Sequence, residues 1–261
     1  MKRLLWLVAV GFCAGLVLSA CSKSTKNVSP GEIRMYLADA PADYDAVNIV
    51  VSQVSVHLSD QDSLSGWTVI SDTLQTYDLL ELRNGAMALF ADGQLDPGHY
   101  TQIRLKVADG CSVVVDGTPH ELSIPSGYQS GIKINHAFEI QEDVTYELLL
   151  DFDAEKSIVE QGNGQYQMKP VIRAIALATS GSIAGTVDPK SVQALALAGS
   201  DTASSAYTDA SGYFKLMGLQ EGSYSVQIVP DDINYADSTL LDVPVVAGQT
   251  TGLGTIQLRE K

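Results

Sequence analysis

From Gly31 onward apolar side chains recur at every second position, the period of a strand with one face buried and the other in water. Ile33, Met35 and Leu37 alternate with Arg34 and Tyr36, and Ile103, Leu105 and Val107 alternate with Arg104 and Lys106. Tyr146, Leu148, Leu150 and Phe152 share one face, while Glu147, Asp151 and Asp153 fall on the other. Within 46–58 the inward set begins as Val47, Ile49 and Val51 and resumes as Val54, Val56 and Leu58. That change of parity predicts a bulge near Ser52-Gln53, where one extra residue restores the facing. A long strand is expected from Tyr166 to Leu177. Only 84–91, with Met87, Leu89 and Phe90, is expected to make a short helical turn, and Gly85 weakens it. The pattern predicts an all-β chain: two antiparallel, Greek-key-type β-sandwich domains in tandem.

A shift toward Ala, Gly and Ser near Thr179-Ser180-Gly181 places the boundary there, giving units over residues 31–178 and 181–258. In the second unit turn signals recur at Asp188-Pro189, Asp209-Ala210-Ser211-Gly212, Glu221-Gly222, Pro230-Asp231-Asp232 and Ala247-Gly248, the spacing that a seven-strand sandwich requires. One device occurs in both units, as Leu95-Asp96-Pro97-Gly98-His99-Tyr100 and Leu219-Gln220-Glu221-Gly222-Ser223-Tyr224. Each reads as a corner leading into a strand, with the tyrosine ring buried and its hydroxyl bonded or wet.

The amino terminus breaks this pattern. Lys2 and Arg3 precede an uncharged, mostly apolar run from Leu4 to Val17, which reads as a secretory signal over residues 1–20. The run is shorter than the roughly 20 apolar residues that cross a bilayer core. Leu18-Ser19-Ala20-Cys21 resembles a bacterial lipobox, in which cleavage precedes a cysteine that carries diacylglycerol and an acylated amine. The resemblance implies a membrane anchor at Cys21, and Ser22 in place of aspartate after it implies the outer membrane. Residues 22–30 are polar and aperiodic, a tether reaching roughly 15 to 18 Å as a random coil.

With Cys13 in the signal and Cys21 acylated, Cys111 is the one thiol left, so no intramolecular disulfide is expected. A net charge of −15, with acids scattered rather than blocked, argues against nucleic acid as a partner and fits a solvated exterior.

Two family resemblances sharpen the architecture. Leu37-Ala38-Asp39-Ala40-Pro41 with Tyr44-Asp45-Ala46-Val47, the Leu95 to Leu105 segment, and 149–159 leading to Lys169-Pro170-Val171-Ile172-Arg173 resemble the envelope proteins of domain-of-unknown-function family 4382. That family carries no assigned activity. Thr208-Asp209-Ala210-Ser211-Gly212-Tyr213-Phe214, then Leu216, Leu219, Gly222, Tyr224 and Val226, look like the carboxypeptidase-regulatory, transthyretin-like sandwich. Its motif is a folding signature: Asp209 and Gly212 shape a hairpin turn and the apolar positions fill a core.

Catalytic sets are scarce. His57, His99, His120 and His136 are isolated, with no HxH, HExxH or paired cysteines. GxSxG does not occur, and Ser130-Gly131-Ile132-Lys133 matches SxxK without its companion elements. Asp151 and Asp153 read as a solvated rim. A sharper reading is a hard-cation site: Asp39 and Asp43 end one strand, Asp151, Asp153 and Glu155 end another, and adjacent ends could surround Ca2+ with oxygen ligands. Tyr207 and Tyr235 are the candidate glycan contacts.

The expected function is therefore a non-catalytic envelope lipoprotein that binds a protein or glycan partner and needs no cofactor. Carbohydrate binding is the closest variant. A calcium-dependent adhesion module, or a hydrolase using two carboxylates distant in sequence, are the alternatives.

Overall fold

The computed structural model describes residues 28–261 except 41, 63–64, 126–129, 163 and 200–202. Cys21 and the signal segment lie outside the described residues.

The first unit contains β1 (Gly31–Asp39), β2 (Ala46–Leu58), β3 (Trp67–Ser71), β4 (Gln75–Asp78), β5 (Ala88–Leu95), β6 (Gly98–Val107) and β7 (Ser112–Val115). It continues with β8 (Thr118–Ser123), β9 (Ile132–Ile140), β10 (Thr145–Phe152), β11 (Ile158–Gln161), β12 (Gln165–Met168) and β13 (Ile172–Ala176). One sheet has the order β13-β10-β1-β5. The other runs β11-β12-β8-β7-β2-β6-β9, with β3 and β4 also paired to β2. The alternating residues read from the sequence meet between them: Ile33, Met35, Leu37, Leu148, Leu150 and Phe152 from one sheet face Val54, Val56, Ile103 and Leu105 from the other, all fully buried. Area removed from water is the main stabilising term here, at about 25 cal/mol per Å² of apolar surface. The register of β2 against β6 shifts between Val51 and Gln53, the expected bulge, and Ser52 Oγ donates to the Lys106 carbonyl at 3.2 Å.

The second unit contains β14 (Ser180–Asp188), β15 (Ala194–Ala198), β16 (Ser204–Tyr207), β17 (Tyr213–Gln220), β18 (Gly222–Pro230), β19 (Tyr235–Ala236), β20 (Ser238–Val245), β21 (Thr250–Gln257) and β22 (Arg259–Glu260). A β17-β14-β21 sheet lies over a β16-β15-β18-β20 sheet, and β19 pairs with β22. Ile183, Phe214, Leu216, Val226 and Ile228 make a core separate from the first. The chain is thus all-β and built of sandwiches. Most ladders are antiparallel, but β1 with β10, β8 with β12, and β14 with β21 are parallel.

Both repeated devices are corners closed by tyrosine. Tyr100 OH donates to the Asp96 carbonyl at 3.0 Å and Tyr224 OH to the Gln220 carbonyl at 3.1 Å, each four residues upstream.

Two local expectations are corrected. The 84–91 segment is not helical: a 3-10 turn forms earlier, over Leu79–Glu81, where Asp78 Oδ1 accepts from Leu80 N at 3.0 Å, and Ala88 onward is β5 on the edge of β1. Phe90 is buried and Leu89 half-exposed, which is strand alternation. The stretch from Tyr166 to Leu177 is two strands. Pro170 has no N–H to give a ladder, and Ser157 Oγ takes the Val171 N–H at 2.8 Å instead, so β12 ends in one sheet and β13 begins in the other.

Candidate functional site

The two units meet through the turn that follows the 3-10 segment and the edge strand β16. Asn84 and Gly85 both sit at positive φ, 54° and 89°, which turns Arg83 to Gly85 toward the second unit. A Cβ at Gly85 would lie 2.8 Å from Lys215 Cδ. Asn84 Nδ2 donates to the Tyr207 carbonyl at 2.8 Å. From the other side Arg173 donates to the Ala203 carbonyl while its Nε holds Asp151 Oδ2 at 3.0 Å.

Tyr207, the last residue of β16, stands between two open cavities whose walls come from both units. One, of about 470 Å³, is lined by Arg83, Asn84, Gln193, Asp209 and Tyr213. The other, of about 360 Å³, is lined by Asp43, Asp153, Glu155, Lys156 and Leu197. Burial raises the Tyr207 hydroxyl pKa first, and the charges of Asp231, Asp43 and Glu155 raise it further. The phenol stays protonated and can donate to a ligand oxygen. Tyr235 lines neither cavity; it packs half-buried against the second core.

The five carboxylates expected around a cation divide between two places. Because β1 and β10 pair in parallel, with Ala38 opposite Asp151 and Asp39 opposite Phe152, the strand ends are adjacent. Asp39 and Asp151 nevertheless line a small cavity of about 20 Å³ with Asn84, whereas Asp43, Asp153 and Glu155 line the larger one beside Tyr207. Four of the five carboxylates, those of Asp39, Asp151, Asp153 and Glu155, have their own structural engagement. Asp39 Oδ1 accepts from Ala154 N at 3.0 Å. Asp153 caps a single helical turn, α1 (Ala154–Ser157), accepting from Lys156 N at 2.9 Å and Lys156 Nζ at 2.7 Å. Glu155 Oε2 accepts from Asp43 N at 3.1 Å. Among the described residues no group of three or more His, Cys, Asp or Glu is arranged to hold a metal ion. The polar rim expected at Asp151 is also corrected: the Arg173 contact and the second unit leave its side chain only 15% exposed.

Burial dominates the electrostatics of Asp39. The residue is 7% exposed, and its carboxyl pKa is pushed up to about 9, chiefly by desolvation, with the charges of Asp151 and Asp153 adding and the Ala154 N–H opposing. Oδ2 has no hydrogen-bond partner among the described residues. Asp39 is therefore neutral at pH 7. Asp151 is raised in the same sense by desolvation, with Arg173 opposing.

The four histidines are engaged separately. His57 Nε2 lies 3.0 Å from the Asp62 carbonyl, His99 pairs with Glu139 at 3.2 Å, His120 packs on Tyr166, and His136 lies 3.4 Å from Tyr146 OH. Cys111 is buried with its thiol pKa raised by desolvation, an inert core position.

Comparison with known proteins decides the first unit. The model of the family described as domain of unknown function DUF4382 matches residues 30–170, more than half of the chain. The chain belongs to the DUF4382 family. The matched DUF4382 domain supplies Arg83, Asn84, Asp43 and Glu155 to the groove, while Gln193, Tyr207, Asp209 and Tyr213 come from the β-rich region that follows. No curated protein matches the chain.

Solved structures that are similar include a cohesin–X-dockerin complex of Acetivibrio cellulolyticus, at 24% identity and TM-score 0.27 over 31% of this chain and 58% of that one. Also similar are the minor pilin of Streptococcus agalactiae, at 12% identity and TM-score 0.25 over 87% of this chain and 96% of that one, and the shaft pilin SpaA of Lactobacillus rhamnosus GG, at 8% identity and TM-score 0.24 over 89% and 98%. The DUF4382 chain thus spans little more than half the length of the cohesin–X-dockerin chain.

Proposed function

We propose that the chain is a non-catalytic lipoprotein of the cell envelope, tied to the membrane through acylated Cys21, that offers the Tyr207 groove to a protein or glycan partner. In this reading residues 31–178 and 181–258 are the two domains, and the second is a carboxypeptidase-regulatory-like, transthyretin-like sandwich serving as one wall of the groove. The observation that carries it is the position of Tyr207, with an open cavity on each side and both units contributing walls. Loops and edges held on rigid sandwiches are where such folds keep their ligands.

Carbohydrate binding is the more specific form of this reading. Tyr207 and Tyr213 bring aromatic surface, and Arg83, Asn84 and Gln193 bring fixed donors, to one open cavity. A carboxylate-based hydrolase is less well supported, because Asp153 is committed to Lys156 and Asp209 Oδ1 already accepts from Ser211 N, Ser211 Oγ and Tyr213 N. The outer membrane is proposed from Ser22 after Cys21.

A glycan array probed with the full chain in detergent tests the site. Tyr207→Ala is expected to weaken binding about tenfold, the scale of losing one anchoring aromatic. The groove itself persists in that variant because Asn84 holds the Tyr207 backbone carbonyl. Tyr235→Ala serves as the control and should bind like the parent. An array without signal, or a signal indifferent to Tyr207→Ala, would reject the glycan form. The anchor has its own check: Cys21→Ala is expected to leave the membrane fraction after secretion, and a variant that still partitions with membranes removes the lipoprotein assignment.

A further inference from the structure

The outer face of the nine-stranded sheet carries a cationic platform that the groove does not use. Across β3, β2, β6 and β9 the register aligns Trp67, His57, Gln102 and Asn135 in one row and Val69, Ser55, Arg104 and Lys133 in the next. Lys106, paired with Gln53, begins the row after that. The inward neighbours Val54, Val56, Ile103, Leu105 and Ile134 are buried, so these side chains face away from the core.

Arg104 Cζ lies 4.1 Å from the centre of the Trp67 ring and Lys133 Nζ 5.8 Å, while Arg104 Nε donates to Ser55 Oγ at 3.2 Å. Gln102 Nε2 donates to Asn135 Oδ1 at 2.9 Å. Arg104 and Lys133 stand directly opposite each other, and among the described residues neither they nor Lys106 takes part in an ion pair. Like charges opposite one another weaken a sheet. In a chain with 31 acidic and 16 basic side chains, a cationic spot without a carboxylate against it is the exception.

We propose that this face binds an anionic polysaccharide, with the sugar acid groups on Arg104 and Lys133, hydroxyls on Gln102 and Asn135, and an apolar sugar face against Trp67 and Val69. A guanidinium fixed from behind by Ser55 presents its remaining N–H groups as a fork that fits a carboxylate or sulfate. Phosphate at a lipid surface would need only the cations. The adjoining aromatic and amide row is what a sugar chain adds uses for. Attraction of this kind is screened by salt, so binding falls as ionic strength rises.

Affinity electrophoresis of the full chain in detergent, in gels containing polygalacturonate or neutral dextran, tests it. Retardation by polygalacturonate and not by dextran is expected. Lys133→Glu should weaken it about tenfold while melting no lower than the parent, because it replaces a repulsive cross-strand pair by an attractive one. Should Lys133→Glu fail to fold, Lys133→Gln and Arg104→Gln carry the same expectation. Tyr207→Ala should leave retardation unchanged, which separates this surface from the groove. The proposal is overturned by absent retardation, by retardation that survives loss of either cation, or by loss in Tyr207→Ala. Preferential capture by phosphatidylglycerol over phosphatidylcholine vesicles that disappears in Lys133→Glu would overturn it in favour of a lipid surface.

Discussion

Asp39→Asn is expected to stabilise the protein at pH 8 and to flatten the decline of melting temperature between pH 3.8 and about 9. An ordinary carboxyl ionises near 3.8 in the unfolded chain, whereas in the fold burial holds Asp39 neutral until about 9. Below the lower value both states are protonated and this group adds no pH dependence. As pH rises through the window only the unfolded state gives up its proton, so stability falls, by at most about 1.4 kcal/mol per pH unit for this one group. Above the folded value both states are ionised and the loss levels off. Asp151, also raised by desolvation, acts in the same direction. Glu32 and Asp209, lowered by their hydrogen bonds, act in the opposite one, losing stability as pH falls, and both are exposed enough to contribute little. Asparagine keeps an oxygen for the Ala154 N–H and is neutral at every pH. Thermal melts of parent and variant from pH 5 to pH 9 check this, and identical slopes would show that Asp39 is not the buried neutral acid that the fold implies.

The same residue shows how far the sequence could be read. Alternation placed Asp39 at the end of its strand and Phe152 at the end of another, and the core formed by Ile33, Met35, Leu37, Leu148, Leu150 and Phe152 follows that alternation. The parity change at Ser52-Gln53 was equally legible, because a one-residue slip would have turned Val54 and Val56 to solvent. Partners were not legible. Period two says which face is buried and nothing about which strand lies alongside or in what direction, so neither the parallel β1–β10 ladder nor the β10–β13 pairing that sets Arg173 opposite Asp151 had a local signal. The interruption at Lys169-Pro170 did have one, in the missing proline N–H. Sites built across long separations were hidden for the same reason. Asn84 meets Tyr207 123 residues away, and Trp67, Arg104 and Lys133 become neighbours only through the registers of three ladders. What the sequence did offer for that platform was the outward parity of Arg104 between Ile103 and Leu105, a cation on a wet face with no acid in its own strand.

In the second unit the turn at Asp209-Ala210-Ser211-Gly212 should be the most sensitive surface position, and Gly212→Ala is expected to cost about 2 kcal/mol or more. Gly212 has φ +78°, a conformation that an L side chain resists, and a Cβ there would lie 2.4 Å from the Val187 carbonyl oxygen, a backbone atom that cannot swing aside. Relieving that overlap moves β14 away from the turn and endangers the Val187 N–H bond to the Gly212 carbonyl, 2.8 Å long, along with the Gly212 N–H bond to Asp209. Asp209→Ala removes only the three bonds accepted by Oδ1 at an exposed position, and a loss nearer 1 kcal/mol is expected. The two units can be followed apart, because Trp67 belongs to the first and residues 181–261 contain no tryptophan. In urea, Gly212→Ala should move the far-ultraviolet circular dichroism transition to lower denaturant and the Trp67 fluorescence transition by less. Equal shifts would mean that Asn84–Tyr207, Arg173–Ala203 and the packing of Ile175 on Gly218 join the units into one cooperative body. No shift in either would mean that the backbone at this turn accepts a side chain, and the steric reading of Gly212 would have to be abandoned.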